Sequence, residues 1–358
     1  MVSGWSSHPG GRHHGAHGGA VARSLDVSER GFLDFSQNVN PLGAPPQALE
    51  AARLALDEEA GSYPDLDYPR LRGALATYLG APPENIVPTN GGAEALFLAA
   101  RAAATGGGGA AVILEPTFSE YAAAARAAGL EPVRRVARRP EDGFRLDLAA
   151  LDDLEGVALV FLCNPNNPTG DALTREEVLA VAGHVRERNV ALVLDEAFAD
   201  FVPEVSVVAE ADEGLYVARS FTKFFAIPGL RLGCLVCSEP DRAHEIQPSW
   251  SVNAVAAAAG EAAAGDRDFV AASLAEVRRL REELYGALEA LPGISPFRGA
   301  ANFLLVRGPA GLPPRLARRG VLVRGCEPFP GLGAGYFRVA VRGPADNERL
   351  LAALREEL

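Results

Sequence analysis

The sequence has few cysteines: Cys163, Cys234, Cys237 and Cys326 are the only four in 358 residues. So few cysteines in so long a chain exclude the dense disulfide framework of small secreted domains. Cys234 and Cys237 have the CxxC spacing of many metal and redox sites, but they belong to the apolar run around Leu232–Val236, which we predict to be a strand. Residues three apart on a strand face opposite sides, and there is no second ligand pair, so we expect no metal centre.

Long hydrophobic runs are also missing. No apolar stretch reaches the roughly 18–20 residues that a transmembrane helix needs. The richest candidate, Ala254–Gly265, is mostly alanine and is interrupted by Gly260 and Glu261. The first 30 residues are rich in glycine and histidine and lack the apolar stretch of a signal peptide. We therefore expect a soluble, cytoplasmic protein that does not bind a membrane.

The chain lacks an excess of positive charge. It has 34 lysines and arginines against 46 aspartates and glutamates, which gives a net charge of −12. A chain this acidic has no general electrostatic attraction for nucleic acid or anionic lipid, so neither is expected as a partner. An anionic small molecule would have to be held by a few well-placed arginines.

Beyond the first 44 residues, short apolar runs alternate with amphipathic stretches. Helices are predicted at Pro46–Leu56 and Pro69–Leu79, and another begins near Glu176, where Thr174 and Glu177 have the spacing of a capping box. Strands are predicted at Ala111–Leu114, Ala158–Leu162, Val190–Leu194, Leu215–Ala218 and Leu232–Val236. These runs are apolar throughout, as in strands covered on both faces, so we predict an α/β domain with a mainly parallel sheet.

The pattern changes near residue 245. A long amphipathic helix is predicted at Phe269–Leu291, followed by short strands at Asn302–Val306, Val321–Arg324 and Tyr336–Val341 and by a closing helix from about Asp346. This order is typical of an α+β domain. We therefore expect three parts: an N-terminal arm over residues 1–44, a large domain over 45–245 and a smaller C-terminal domain over 246–358.

Five polar segments follow predicted strands or short apolar runs, where ligands bind in open α/β sheets. They are Asn90-Gly91-Gly92-Ala93, Glu115-Pro116-Thr117-Phe118, Asn164–Gly170, Asp195-Glu196-Ala197-Phe198 and Ser220-Phe221-Thr222-Lys223 with Arg231. Each alone has a structural explanation as a turn, a helix cap or a surface charge. Together they favour a site for an aldehyde cofactor that carries a phosphate and a protonatable ring nitrogen.

Each part of such a cofactor has a matching residue. The amine of Lys223 can bind the aldehyde, and a buried Asp195 can keep the ring nitrogen protonated. Phe118 offers a flat face on which the ring can stack. The predicted phosphate ligands are the backbone N–H groups of a helix N-terminus, a hydroxyl and a guanidinium, from Gly91, Gly92, Ala93, Ser220 and Arg231.

This ordered set resembles the fold-type I pyridoxal-phosphate enzymes of the aspartate aminotransferase class, and the match extends over nearly the whole chain. The resemblance implies an aspartate-aminotransferase-like fold and pyridoxal 5'-phosphate as cofactor. It implies that Lys223 binds the cofactor covalently, that Asp195 faces the pyridine nitrogen and that Asn167 donates to the ring hydroxyl. It further implies a homodimer in which Tyr63 reaches the cofactor phosphate of the neighbouring subunit. Arg338 matches the arginine that binds the substrate α-carboxylate.

The flanking segments narrow the resemblance to one group of this family, the L-threonine-O-3-phosphate decarboxylases of cobalamin biosynthesis. The matching segments are His17-Gly18-Gly19, Leu33–Gly43, Asp195–Phe201, Thr222–Gly233, Trp250–Ala254 and Arg324–Leu332. Phe198 also fits, because these decarboxylases resemble this sequence in carrying phenylalanine where many aminotransferases have a tyrosine. We expect decarboxylation of L-threonine O-3-phosphate to (R)-1-amino-2-propanol phosphate, with the substrate bound by His17, Asn38, Arg324 and Arg338.

Two alternatives stay open. Histidinol-phosphate aminotransferases share the cofactor residues but fit the flanks less well, so the second candidate is an aminotransferase that acts on histidinol phosphate or a related amino acid with 2-oxoglutarate. A cofactor-binding regulator or inactive scaffold is the third, because folds are reused. The presence of Lys223, Asp195, Asn167 and Arg338 together disfavours the scaffold.

Overall fold

The computed structural model describes residues 32–104 and 108–358. The strands are β1 (Leu33–Asp34), β2 (Ile86–Thr89), β3 (Ala110–Glu115), β4 (Val133–Ala137), β5 (Val157–Cys163), β6 (Ala191–Asp195), β7 (Leu215–Ser220), β8 (Gly233–Val236), β9 (Ser295–Pro296), β10 (Phe303–Arg307), β11 (Val321–Leu322), β12 (Arg324–Gly325) and β13 (Tyr336–Ala340). The helices are α1 (Pro46–Glu58), α2 (Pro69–Leu79), α3 (Gly91–Ala103), α4 (Glu120–Ala127), α5 (Arg175–Arg186), α6 (Pro240–Ile246), α7 (Ala254–Gly265), α8 (Arg267–Glu289), α9 (Leu312–Arg318) and α10 (Pro344–Glu357).

A seven-stranded sheet forms the centre of the molecule, in the order β2-β8-β7-β6-β5-β3-β4. The five strands β7, β6, β5, β3 and β4 run parallel to one another, whereas β8 is antiparallel to both β2 and β7. Because β8 alone is reversed, β2 points the same way as β7. The carboxyl ends of β2, β3, β5, β6 and β7 therefore share one edge, and the five polar segments that the sequence singled out all lie there.

Both faces of this sheet are covered. Leu192 and Leu194 pack into the hydrophobic core on one face, and Val193 between them packs into the core on the other. Cys234 lies in the first core and Cys237 in the second, which confirms that the two thiols face opposite sides. Burial on both faces is the reason why these strands are apolar throughout.

The C-terminal part is built on an antiparallel sheet in the order β12-β13-β10-β9. The long helix α8 joins the two parts, because Val277 packs into a core of the large sheet while Leu280, Leu284 and Leu288 pack into the C-terminal core. Residues of the predicted arm take part as well: β1 pairs in parallel with β11, and Phe35 is fully buried in the C-terminal core. We keep the division into residues 45–245 and 246–358 as a proposal.

The local predictions for α2 and α5 are confirmed. Helix α2 has the predicted bounds, and α5 begins with a capping box in which Thr174 Oγ1 accepts from the Glu177 amide at 3.2 Å and Glu177 Oε2 accepts from the Thr174 amide at 2.8 Å. None of the helices in the described ranges is both long and apolar enough to cross a membrane. Over those same ranges, no group of three or more His, Cys, Asp or Glu side chains could hold a metal ion.

Candidate active site

A cavity of about 440 Å³ opens at the carboxyl edge of the large sheet, where the C-terminal part meets it. Eleven of the predicted site residues line it: Asn38, Gly92, Ala93, Phe118, Asn167, Asp195, Ser220, Lys223, Arg231, Arg324 and Arg338. Its volume lies in the range of cofactor and small-molecule sites. The described structure therefore brings the residues of both the predicted cofactor site and the predicted substrate site into one space.

Lys223 is the only lysine in the sequence, and it lies just beyond the end of β7. Its Nζ donates to Ser220 Oγ at 3.0 Å and lies 5.4 Å from the centre of the Phe198 ring. Burial lowers the pKa of Lys223, Asp195 opposes this, and the positive charge of Arg231 lowers the pKa further. A lowered pKa keeps a larger share of the amine neutral, which is the nucleophilic form.

Asp195 ends β6 and is almost completely buried. Its Oδ2 accepts from the Tyr121 hydroxyl at 2.7 Å and its Oδ1 accepts from the Ala197 amide at 2.9 Å. Burial raises the pKa of Asp195, whereas the charge of Lys223 and the hydrogen bond from Tyr121 lower it. The carboxylate is thus held in place by two donors at the wall of the cavity.

The start of helix α3 forms one end of the cavity. A Cβ atom added to Gly91 would lie 2.6 Å from Arg231 Nη2, and one added to Gly92 would lie 2.9 Å from Ser220 Cβ. The first amides of a helix have no partner within it, so this close approach places free N–H groups beside a hydroxyl and a guanidinium. Thr222 adds a second hydroxyl, whose Oγ1 is 2.9 Å from Ser220 Oγ. Such a donor set suits a phosphate dianion.

Gly92→Ala is expected to weaken cofactor binding about tenfold, because the new Cβ must displace either Ser220 or the start of α3 and so spoil the donor geometry. Equilibrium titration of the apoprotein with pyridoxal phosphate measures this. Gly183→Ala in α5 is the matched control, since no atom lies within 4 Å of its added Cβ. Equal dissociation constants for the two variants would contradict the assignment of Gly92.

Arg338 on β13 is buried and fixed by hydrogen bonds at one side of the cavity. It donates through Nη2 to the Ser36 carbonyl at 2.8 Å and through Nη1 to Asn167 Oδ1. With the Asn38 amide turned so that its oxygen faces the guanidinium, Asn38 accepts from Nε at 3.3 Å. Burial lowers the pKa of Arg338 to about 10. The guanidinium is therefore pre-positioned for a carboxylate.

Arg324 is the second buried arginine of the cavity. Strand pairing places Arg324 of β12 directly opposite Arg338 of β13. Its guanidinium carbon lies 5.6 Å from the centre of the Phe329 ring, and burial lowers its pKa. Two arginines side by side in a partly desolvated space provide a site for a ligand with two anionic groups.

One predicted residue of the described structure, Tyr63, lies away from the cavity. Tyr63 is 79% exposed, and its ring lies against Trp250 with centroids 4.5 Å apart, so it does not reach the cavity of its own chain. His17 falls outside the described residues. Asn40, close to Asn38 in the sequence, donates through Nδ2 to the Phe224 carbonyl and to Ser273 Oγ, both at 2.8 Å. It anchors the 36–40 segment to the loop of Lys223.

Tyr121, Thr222 and the Ser36 carbonyl contribute to the site but were not among the predicted site residues. Thr222 lies one position before Lys223, so its place in the motif could have suggested it. Tyr121 and Ser36 carry no local signal, because their partners Asp195 and Arg338 lie 74 and 302 residues away in the sequence. Only the folded chain brings them together.

Comparisons with known proteins show the family of this chain. The model of the family "Aminotransferase class I and II" matches residues 30–354. The chain is 41% identical over 356 residues to threonine-phosphate decarboxylase of Salmonella typhimurium, and the match covers 96% of each protein. Its structure is similar to that of histidinol-phosphate aminotransferase from Clostridium acetobutylicum, with a TM-score of 0.82, 28% identity and coverage of 91% of this chain and 100% of the other. For L-threonine-O-3-phosphate decarboxylase from Porphyromonas gingivalis the TM-score is 0.79, with 27% identity and coverage of 91% and 99%.

The residues present fit pyridoxal phosphate. The site offers one reactive amine at Lys223, one buried carboxylate at Asp195, a phosphate-sized donor set around Ser220 and a flat aromatic side chain at Phe118. The fold, the geometry of the cavity and the family match lead to one assignment. The chain belongs to the aminotransferase class I and II family and is a pyridoxal-phosphate enzyme.

Proposed function

We propose that this enzyme removes the carboxyl group of L-threonine O-3-phosphate and releases carbon dioxide and (R)-1-amino-2-propanol phosphate, a step of cobalamin biosynthesis. The observation that carries the proposal is the pair of buried arginines, Arg324 and Arg338, opposite each other beside Lys223. The substrate has two anionic groups, a carboxylate and a phosphate, which match the two arginines. Its amino group can react with the cofactor aldehyde beside Lys223. The activity named for the Salmonella relative supports this choice of substrate.

In this proposal, the cofactor is held by residues at the carboxyl edge of the sheet. Lys223 would bind its aldehyde carbon, Asp195 would pair with its ring nitrogen and Asn167 would donate to its ring hydroxyl. Phe118 would pack on its ring. The phosphate of the cofactor would be held by the backbone of Gly91, Gly92 and Ala93 and by the side chains of Ser220, Thr222 and Arg231. When bound, pyridoxal phosphate accepts the electron pair of the bond that breaks at the substrate Cα.

The protein decides which bond breaks by orienting the substrate. Arg338, held by Ser36 and Asn38, would fix the carboxylate, and Arg324 would fix the phosphate at the other end. Two anchored ends leave Cα little freedom to rotate, so the Cα–carboxylate bond can be kept in the orientation needed for cleavage. The substrate amino group would take the place of Lys223 on the aldehyde carbon, which frees the Nζ. As carbon dioxide leaves, this Nζ would give one proton to Cα and be reprotonated from solvent, so that each turnover consumes one solvent proton.

A second candidate is amino transfer between histidinol phosphate and 2-oxoglutarate, which would use the same cofactor residues. Phe198 favours decarboxylation over this alternative. It is a phenylalanine at a position where many aminotransferases have a tyrosine, and it packs against Phe303 with centroids 5.0 Å apart. A phenyl ring offers no hydroxyl to the cofactor, which leaves Asn167 as the donor to the ring oxygen.

Product analysis tests the proposal. Purified enzyme loaded with cofactor is incubated with L-threonine O-3-phosphate and no keto acid, and carbon dioxide and amine products are quantified. We expect equal amounts of carbon dioxide and aminopropanol phosphate. No turnover, together with amino transfer from histidinol phosphate once 2-oxoglutarate is added, would replace the proposal by the second candidate.

Arg324→Met is expected to lower kcat/KM for L-threonine O-3-phosphate by about 10²-fold, because the variant loses the positively charged hydrogen-bond donor that binds the substrate phosphate. The unphosphorylated substrate L-threonine should lose far less, since it never made this contact. Steady-state kinetics with both substrates measure the difference. Equal losses for the two substrates would remove Arg324 from the phosphate site. His17 is the other proposed phosphate ligand.

We further propose that the enzyme is a homodimer in which Tyr63 contacts the cofactor phosphate of the partner subunit. The support is that Tyr63 and Trp250, at 79% and 43% exposure, form an aromatic pair on the surface. Sedimentation equilibrium of the loaded enzyme should give a dimer; a fully active monomer would contradict the proposed homodimer.

The proposed location of the enzyme is the cytoplasm, where the four buried cysteines would remain thiols.

A further inference from the structure

We propose that Tyr121 is a positioning residue for the cofactor: its hydroxyl holds the Asp195 carboxylate in the orientation and the charge state that bind a protonated pyridine nitrogen. The inference rests on the proposed role of Asp195, and it does not depend on which bond at Cα breaks. Tyr121 lines no part of the cavity itself, so it would act only through the residues that it contacts.

The first argument is the hydrogen bond. Tyr121 donates to Asp195 Oδ2 at 2.7 Å, which is the length of a strong bond to a charged oxygen. The other oxygen accepts from the Ala197 amide, so each carboxylate oxygen has a donor on the protein. A protonated carboxyl group would have to give up one of these donors, so this arrangement favours the ionised form.

The second argument is the way in which the Tyr121 ring is fixed. It is only 1% exposed, stacks on Phe161 with centroids 5.1 Å apart and an interplanar angle of 10°, and meets Phe118 edge to face at 5.8 Å. Phe161 lies on β5, next to the strand of Asp195. One side chain thereby contacts both the predicted stacking residue and the predicted ring-nitrogen partner, and it has no freedom to turn its hydroxyl away.

Charged and titratable groups surround Asp195. The groups that face it are the cations of Lys223 and Arg219, the Tyr121 hydroxyl and the Cys163 thiol. Burial raises the pKa of Asp195, and burial likewise keeps the thiol neutral by raising the pKa of Cys163. Arg219 is already bound to Glu196 at 2.6 Å and to Asp200. Tyr121 is therefore the neutral side chain that donates directly to this carboxylate.

Tyr121→Phe tests the inference, because it removes one oxygen and keeps the packed ring. We expect the apparent dissociation constant for pyridoxal phosphate to rise about tenfold. Loss of a donor raises the pKa of Asp195, so the carboxylate is protonated at a higher pH. The acid limb of the binding profile should accordingly move to higher pH.

Two further measurements separate positioning from a merely structural role. An analogue of the cofactor with C–H in place of the ring nitrogen should bind wild type and Tyr121→Phe equally. Tyr78→Phe is the matched control, since Tyr78 donates to another buried carboxylate, Asp200, at 2.8 Å and does not line the cavity. It should leave cofactor affinity and its pH profile unchanged. An equal loss with the analogue, or with Tyr78→Phe, would overturn the inference.

Asp195→Asn distinguishes this inference from the function on which it rests. If Asp195→Asn weakens binding and Tyr121→Phe does not, the role of Tyr121 is wrong and the role of Asp195 stands. If neither variant weakens binding, the proposed role of Asp195 fails as well. Should Tyr121→Phe not fold, 3-fluorotyrosine at position 121 gives a stronger donor, and the acid limb should then move to lower pH; an unmoved limb would contradict the inference.

Discussion

Lys223→Ala is expected to abolish turnover, with a loss in kcat of about 10⁴-fold or more, and to remove the absorption band of the covalent link between Lys223 and the cofactor. General acid–base catalysis contributes about 10²–10⁴-fold by itself, and this variant also loses the covalent attachment. Because Lys223 is the only lysine in the chain, no other side-chain amine can take its place. Absorbance spectra and product formation measure the two effects.

The presence of a single lysine also allows a direct chemical test of its attachment to the cofactor. Reduction of the loaded enzyme with borohydride should fix one cofactor on the peptide that contains Lys223, as detected by mass spectrometry. Lys223→Arg is the matched variant, since it keeps a positive charge beside Asp195 but cannot bind the aldehyde. Labelling of either variant after reduction, or an unchanged absorption band, would contradict the assignment of Lys223.

Arg338→Met is expected to lower kcat/KM for L-threonine O-3-phosphate by about 10²-fold or more, because truncating one partner of a buried charge pair costs about 2–5 kcal/mol. L-Threonine should suffer a similar loss, since it carries the same carboxylate. The product aminopropanol phosphate has no carboxylate, so its inhibition constant should change little. Kinetics and product inhibition together therefore separate the carboxylate contact from general damage to the site.

Arg342→Met is the control for Arg338→Met. Arg342 lies two residues after the end of β13, the strand that contains Arg338. Its Nε donates to Asp346 Oδ2 at 2.8 Å in a half-exposed ion pair away from the cavity. Half-exposed ion pairs contribute little, so this variant should keep its kinetics. If both variants lost activity equally, or if Arg338→Met weakened product binding as much as substrate turnover, Arg338 would not be the carboxylate ligand.

The sequence is sufficient for the parts of the fold that depend on local pattern. The runs around Leu159, Leu192 and Val217 are apolar because their strands are covered on both faces, and all three are strands in the structure. Thr174 and Glu177 fix a helix start through contacts only three residues apart. Such elements follow from neighbours in the chain, so a pattern can reveal them.

Elements that depend on distant partners were missed. Strand β4 reads Val-Arg-Arg-Val-Ala and lies at the edge of the sheet, where arginines can reach water, so it lacks the apolar run of the central strands. Strand β2 has only four residues and includes Pro88. The antiparallel direction of β8 also leaves no mark on its composition. Their place in the sheet is set by pairing with strands far away in sequence.

Some residues of the candidate site can likewise be predicted from local sequence, whereas others depend on contacts between distant parts of the chain. Residues in compact motifs, such as Gly92, Ser220 and Lys223, were predicted together because their chemistry is adjacent in the sequence. The residues that hold those side chains in place are not adjacent to them in the sequence, so the motifs do not predict them. Tyr121 beneath Asp195, and the Ser36 carbonyl that holds Arg338, depend on contacts across the fold. Motifs therefore indicate what the site binds, while its orientation comes from the tertiary structure.

We propose that this enzyme breaks the bond from Cα to the carboxylate and leaves the Cα hydrogen in place. L-Threonine O-3-phosphate that carries deuterium at Cα is the substrate with which to test this. We expect the deuterium to be retained in the aminopropanol phosphate, with one further hydrogen taken from solvent. Loss of the deuterium to water, with the carboxylate still present in the product, would rule out decarboxylation and identify the enzyme as an aminotransferase.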